Sequence, residues 1–212
     1  MPVRDPPLSC AERTSAEPTD FVLPACQREF VSLSGLSPAK PTDLVQWWSQ
    51  FHWYDYDNSL RASSGVACAT ACDPRQCESA LARSDLQRPG FRYYCEGRPC
   101  YGEYLVVTQG DDVRVLSKPQ EVRDWLLPID TPAEAALLAY AHGYDLSCTD
   151  LERGAVKTQA DGTFQLVTTR RDRTCRTDGP VLRVHLEVSP CGTVNELGAE
   201  VLEPHDKDCE EP

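Results

Sequence analysis

Several things are missing from this chain of 212 residues, and each absence narrows the reading. No run of about 18 apolar residues occurs, so no membrane-spanning helix is expected. The opening MPVRDPPLSC lacks the apolar centre of a cleavable signal peptide. If the protein is exported, its leader has been removed and Met1, the only methionine, is an added start. The sequence also lacks GxSxG, HExxH, a Walker loop, GxGxxG and any CxxC pair, so no familiar catalytic or nucleotide-binding motif stands out. Positive charge is scarce: 21 basic against 33 acidic residues leave a net charge of −12. Nucleic acid is therefore excluded as a partner, because neutralising phosphates needs a basic face. Among the basic residues, arginine outnumbers lysine 17 to 4, and Ile129 is the only isoleucine. That bias points to a GC-rich bacterial genome.

Cysteine is abundant. Cys10, Cys26, Cys68, Cys72, Cys77, Cys95, Cys100, Cys148, Cys175, Cys191 and Cys209 run from end to end, 11 in all. A reducing cytosol makes little use of such a load, whereas an oxidising compartment turns it into crosslinks. All 11 are disulfide candidates, and the odd count leaves at least one without an intramolecular partner. Each bridge stabilises by about 2–4 kcal/mol through restriction of the unfolded chain. Two other readings compete at CATACDPRQC. Cys68, Cys72 and Cys77, with Cys95 and Cys100, fit a zinc site loosely, but the remaining six cysteines have no role in it. Cys77, near a helix N-terminus, has the setting of a lowered-pKa thiol, but no histidine pattern supplies a base. Disulfides explain all regions together; no metal and no cofactor is assigned.

The pattern along the chain is mixed. Residues 1–20 are rich in proline and charge and read as a flexible linker. Residues 206–212 form an acidic tail, and 21–205 read as one α+β domain. Its cysteine-rich helical part spans about 21–100, and a hairpin, helix and antiparallel-strand part spans about 101–205. In PTDLVQWWSQF, Leu44, Trp47, Trp48 and Phe51 fall at helical spacing behind Thr42 as N-cap, predicting a helix with those residues buried. Asp73-Pro74 opens a second helix with Gln76 completing its capping box, Ser117 a third, and Thr131-Pro132 with Glu134 a fourth that ends at Gly143. FRYYC, YGEYLVVTQ and VRVLS read as strands, the last two joined by the turn at Gly110. GTFQLVTT, the alternating PVLRVHLEV and VNELGAEVL complete the set. The fold expected is α+β: an antiparallel sheet with a few short helices, stapled by disulfides.

Two stretches are candidate binding surfaces. FHWYDYDN places Trp53, Tyr54 and Tyr56 beside Asp55 and Asp57, and aromatic faces next to carboxylates suit a sugar or a protein partner. Calcium fits poorly there, because Leu60 and Val66 stand where an EF-hand needs glycine and glutamate. TTRRDRTCRTD carries Arg170, Arg171, Arg173 and Arg176, an arginine patch able to fork onto carboxylates or phosphates or to pair with the protein's own acid. In general texture the chain is similar to cysteine-rich lipoproteins and secreted domains of GC-rich bacteria, a likeness of composition that assigns no residue. The function expected is a non-enzymatic binding module of the bacterial envelope, periplasmic, on the cell surface or secreted, whose partner is another envelope protein or a surface glycan. A lipid anchor upstream of Met1 is compatible with it. The alternatives are a secreted hydrolase acting on glycans, with Asp55 or Asp57 as its acid, and a zinc-stabilised protein.

Overall fold

A computed structural model describes residues 19–27, 30–52, 56–84, 89–95, 100–171 and 179–204. In chain order the elements are β1 (Cys26–Gln27), β2 (Phe30–Val31), β3 (Leu44–His52), β4 (Tyr56–Gly65), α1 (Pro74–Leu81), β5 (Phe91–Cys95), β6 (Cys100–Gln109), β7 (Asp112–Leu116), α2 (Pro119–Leu126), α3 (Pro132–Ala141), β8 (Ala155–Thr158), β9 (Phe164–Arg171), β10 (Val181–Val188) and β11 (Val194–Glu203). The strands form two larger antiparallel sheets and one small pair, β1-β2. A four-stranded sheet has the order β11-β10-β9-β8. A five-stranded sheet has the order β4-β3-β6-β5, with β7 lying on the same side of β6 as β5 but further along it. The α+β class and its disulfide staples are as expected.

One apolar cluster joins the layers. It draws Val45, Trp47, Leu105 and Val107 from the five-stranded sheet and Phe164, Leu166, Val184 and Leu186 from the other, with α2 and α3 contributing. Nearly every residue of α3 is buried, including Ala135, Leu137 and Leu138, as befits a helix apolar on all sides. Its start is fixed as its capping box predicts. Thr131 Oγ1 accepts from Glu134 N, and Glu134 Oε2 accepts in return from the backbone of Asp130 and Thr131. Asp73 caps α1 through a bond from Gln76 N at 3.0 Å. At α2 the cap is Lys118, one residue later than Ser117. Glu121 Oε2 reaches back to both Ser117 N and Lys118 N and draws the two residues into the cap.

The helix expected from Thr42 is a strand. β3 lies between β4 and β6 and has both faces covered: Trp47 enters the main core, and Trp48 stacks on Tyr104 at 6.2 Å on the other side. A strand apolar on both faces loses its alternation, and Leu44, Trp47, Trp48 and Phe51 then mimic a helical stripe. Phe51 is 40% exposed instead of buried. Thr42 caps nothing; its hydroxyl accepts from Trp125 Nε1 and Gln109 Nε2.

Disulfides join Cys26 to Cys148, Cys68 to Cys77 and Cys95 to Cys100. Cys191 is also disulfide-bonded, and Cys72 is free and exposed. Cys10, Cys175 and Cys209 lie outside the described residues. The bridges overturn the zinc alternative, since four of its five sulfurs are oxidised, and with it the reactive Cys77. Among the described residues no helix is long and apolar enough to cross a membrane, and no group of three metal-ligating side chains forms.

Candidate binding surface

Strand register decides which side chains share one face of the five-stranded sheet. Moving outward from the core, three rungs cross the strands. The first is apolar and belongs to the core: Ala62, Trp47, Leu105 and Leu116. The second is polar: Ser59, Ser49 and Glu103, with Arg61 donating to Ser49 Oγ at 3.1 Å. Arg61 is the extra residue of a β-bulge, since Trp47 pairs with Ala62 and Trp48 with Leu60. The third is Asp57, Phe51, Tyr101 and Tyr94 on four consecutive strands. Phe51 meets Tyr101 edge to face at 5.4 Å, and Tyr101 stacks on Tyr94 at 5.3 Å. Phe51 and Asp57 are exposed and both tyrosines half-buried, so the rung offers apolar ring area to solvent.

Behind the aromatic rung, Glu103 turns inward. Its Oε2 accepts from Trp47 Nε1 at 2.6 Å and its Oε1 from the Tyr140 hydroxyl at 2.8 Å. The Arg92 guanidinium lies 3.9 Å from the centre of the Tyr140 ring and pairs with Asp145 at 2.6 Å. Burial pushes the Glu103 carboxyl above its ordinary range, opposed by the Tyr140 bond, the Arg92 charge and the Trp47 bond. Burial and the neighbouring Glu103 charge raise the Tyr140 phenol as well. Arg92 reaches this place because a second bulge, between Phe91 and Tyr94, leaves it at φ 56°, a conformation rare outside glycine. Gly90 permits the approach that seats this strand: a Cβ there would fall 2.0 Å from the Glu103 carbonyl oxygen.

Beside β5 opens a cleft of about 530 Å³, bounded by Arg92, Tyr93, His142, Asp145, Arg170 and Arg171. Arg170 forks onto Glu196 and lies 5.4 Å from the centre of the Tyr144 ring. Burial, then the nearby Arg123, lowers the His142 pKa, which leaves the imidazole neutral at pH 7.

The sequence-derived candidates fall into two places. Asp57 belongs to the aromatic rung, whereas Arg170 and Arg171 belong to the cleft. Trp53, Tyr54, Asp55, the Tyr56 side chain, Arg173 and Arg176 lie outside the described residues. For Arg170, the internal ion pair weighed in the sequence is the one formed. Sequence reasoning missed Phe51, Tyr94 and Tyr101 as one platform, and it missed Glu103, Arg92 and Tyr140 altogether. FRYYC and YGEYL carried the tyrosines in plain view, but only pairing shows that they meet. No known family model, curated protein or solved structure matches this chain.

Proposed function

We propose that the protein is a non-enzymatic binding module of the bacterial envelope, working outside the cytoplasm, and that it holds a surface glycan on the rung formed by Asp57, Phe51, Tyr101 and Tyr94. The observation that carries the reading is the rung itself, with rings presented on neighbouring strands of one sheet and polar groups at one end and behind. Pyranose rings expose C–H faces that pack on aromatic rings, and Asp57, Ser49 and Arg61 stand where hydroxyls would need partners. The disulfides support the compartment, because oxidised cysteine is characteristic of secreted and periplasmic proteins. In this reading Glu103, whose two oxygens are both bonded to inner side chains, serves as a structural group behind the rung.

A panel of envelope polysaccharides, presented to the protein and to Phe51→Ala and Tyr101→Ala, tests this. Losing one stacking ring costs about 1 kcal/mol, so each variant is expected to bind its glycan roughly five- to tenfold more weakly with its melting temperature nearly unchanged. No retained glycan, or equal binding by all three proteins, refutes the reading. A photo-crosslinker at position 51 that captures one envelope protein, with no glycan bound, would replace the glycan by a protein partner.

A further inference from the structure

We propose that β11 is an interface for a second copy of this chain: two β11 strands pair antiparallel about a two-fold axis at Ala199 and join their four-stranded sheets into one continuous sheet. β11 is the edge strand of its sheet, 10 residues long. Its backbone pairs with β10 on one side and, among the described residues, with no strand on the other. Asn195 to Val201 are all exposed, Leu197 by 56% and Val201 by 59%. The unbonded side of a strand presents a row of amide donors and carbonyl acceptors, which is a template for another strand. The opposite edge of the same sheet is treated differently. Residues 19–22 lie along β8, where Val22 and Val156 exchange backbone bonds at 3.0 and 2.9 Å and Thr19 N donates to Thr158 O at 3.1 Å.

The usual protections of an edge are weak along β11. Val194–Glu203 contains no lysine and no proline. Its three carboxylates are each held by an arginine of the same chain: Glu196 by Arg170 and Glu200 by Arg183, both at 2.8 Å, and Glu203 by Arg153. The two bulges against β10 flank Gly198 to Val201, which keep regular register with His185 to Leu182. Charge then selects the occupant. A two-fold axis through a residue sets matching faces of two identical strands opposite each other, as antiparallel pairing requires. With the axis at Ala199, Glu200 stands opposite Gly198, Glu196 opposite Leu202 and Glu203 opposite Asn195, so no carboxylate meets another. An axis at Gly198 would set Glu196 against Glu200, and one at Glu200 would set that residue against its own copy. The strand is complementary to itself in one register, and a small side chain on the axis lets the backbones close. Repulsion between two copies of net charge −12 opposes the pair, so its affinity should rise with salt.

Sedimentation velocity of the oxidised chain over a range of concentrations, combined with hydrogen exchange of β11, decides. A single strand pair is a small interface, so a monomer–dimer equilibrium with a Kd on the order of micromolar is expected. The amides of Asn195 to Val201 should exchange more slowly as protein concentration rises. Gly198→Glu and Gly198→Lys test the register: a Cβ at Gly198 meets no atom within 4 Å, so neither variant should disturb the monomer. In the proposed register each new side chain faces Glu200 of the other copy, twice in every dimer. Gly198→Glu should weaken the dimer about five- to tenfold, and Gly198→Lys should tighten it severalfold. Val66→Glu, the same charge change at an exposed site outside this sheet, should leave dimerisation unaltered. A chain that stays monomeric at every concentration overturns the proposal. So does a dimer that leaves β11 unprotected, or one on which the two Gly198 variants act alike, because its interface then lies elsewhere. Protection of β11 that is already complete in the dilute monomer gives the edge to a segment of the same chain and overturns the proposal too. None of these outcomes depends on whether a glycan binds.

Discussion

Replacing Glu103 tests whether the carboxylate behind the aromatic rung holds the structure together or burdens it. Trp47 is fully buried and Tyr140 half-buried, and each donates its only side-chain polar hydrogen to Glu103. Glu103→Leu leaves both donors without an acceptor, at about 1–3 kcal/mol each. Against this, removing the charge relieves its desolvation, so the expected net loss at pH 7 is about 3 kcal/mol. For a chain of this size that is roughly 6–12 °C in melting temperature. Glu103→Gln keeps one oxygen for Trp47, and the Tyr140 hydroxyl can turn to accept from the new amide, so its cost should stay under about 1 kcal/mol. The pH dependence has a definite sign. The folded-state pKa lies above the unfolded one because burial disfavours the charge, so the folded state holds the proton more tightly. Stability linked to Glu103 is therefore fully present below the ordinary carboxylate range and is lost as pH rises through the elevated folded value. Glutamine, which does not titrate, should gain on wild type across that interval. Urea unfolding of the oxidised protein at pH 4 and pH 7 measures all of this. A leucine variant as stable as wild type at pH 7, or a glutamine variant with the wild-type pH slope, would refute the reasoning.

The bridges should differ in weight. Cys26–Cys148 closes a separation of 122 residues and Cys95–Cys100 one of 5, so chain entropy predicts losses of about 5 and about 2 kcal/mol when each pair is replaced by serine, read from urea midpoints. Equal losses would remove loop length as the explanation. Glu134→Ala abandons three part-buried backbone donors, on Ser37, Asp130 and Thr131, and should cost about 2 kcal/mol in the same assay. Gly90→Ala would force β5 away from β6, and it should cost about 3 kcal/mol or more and expose the amides of β5 to hydrogen exchange. Alkylation of the native, non-reduced protein followed by peptide mapping should label Cys72, and none of Cys26, Cys68, Cys77, Cys95, Cys100 and Cys148.

Elements with one covered face and a marked end were legible from residues alone. The strand Val181–Val188 alternates Val184, Leu186 and Val188 inward with His185 outward, and α3 carries its capping box and its terminal Gly143 in the sequence. The oxidised state of the cysteines followed from their number and spread. β3 was not legible, because burial on both faces erased the period that distinguishes strand from helix. β4 escaped for a related reason: YDNSLRASSG is polar, and its pairing to β3 lets it occupy a sheet edge without an apolar stripe of its own.

The binding surface divides along the same line. Local sequence determined which residue types were on hand, including the tyrosines of FRYYC and YGEYL, the arginines after Thr169 and the aspartate at position 57. Their grouping into a ring platform, an inward carboxylate and a basic cleft belongs to the tertiary structure. Glu103 meets Trp47 across 56 residues and Tyr140 across 37, and Tyr94 reaches Tyr101 through a bulged pairing. Side-chain period tells which face a residue takes within its own strand, but register between strands sets its neighbours. That register is fixed by the packing of the whole core, which no local stretch of this chain contains.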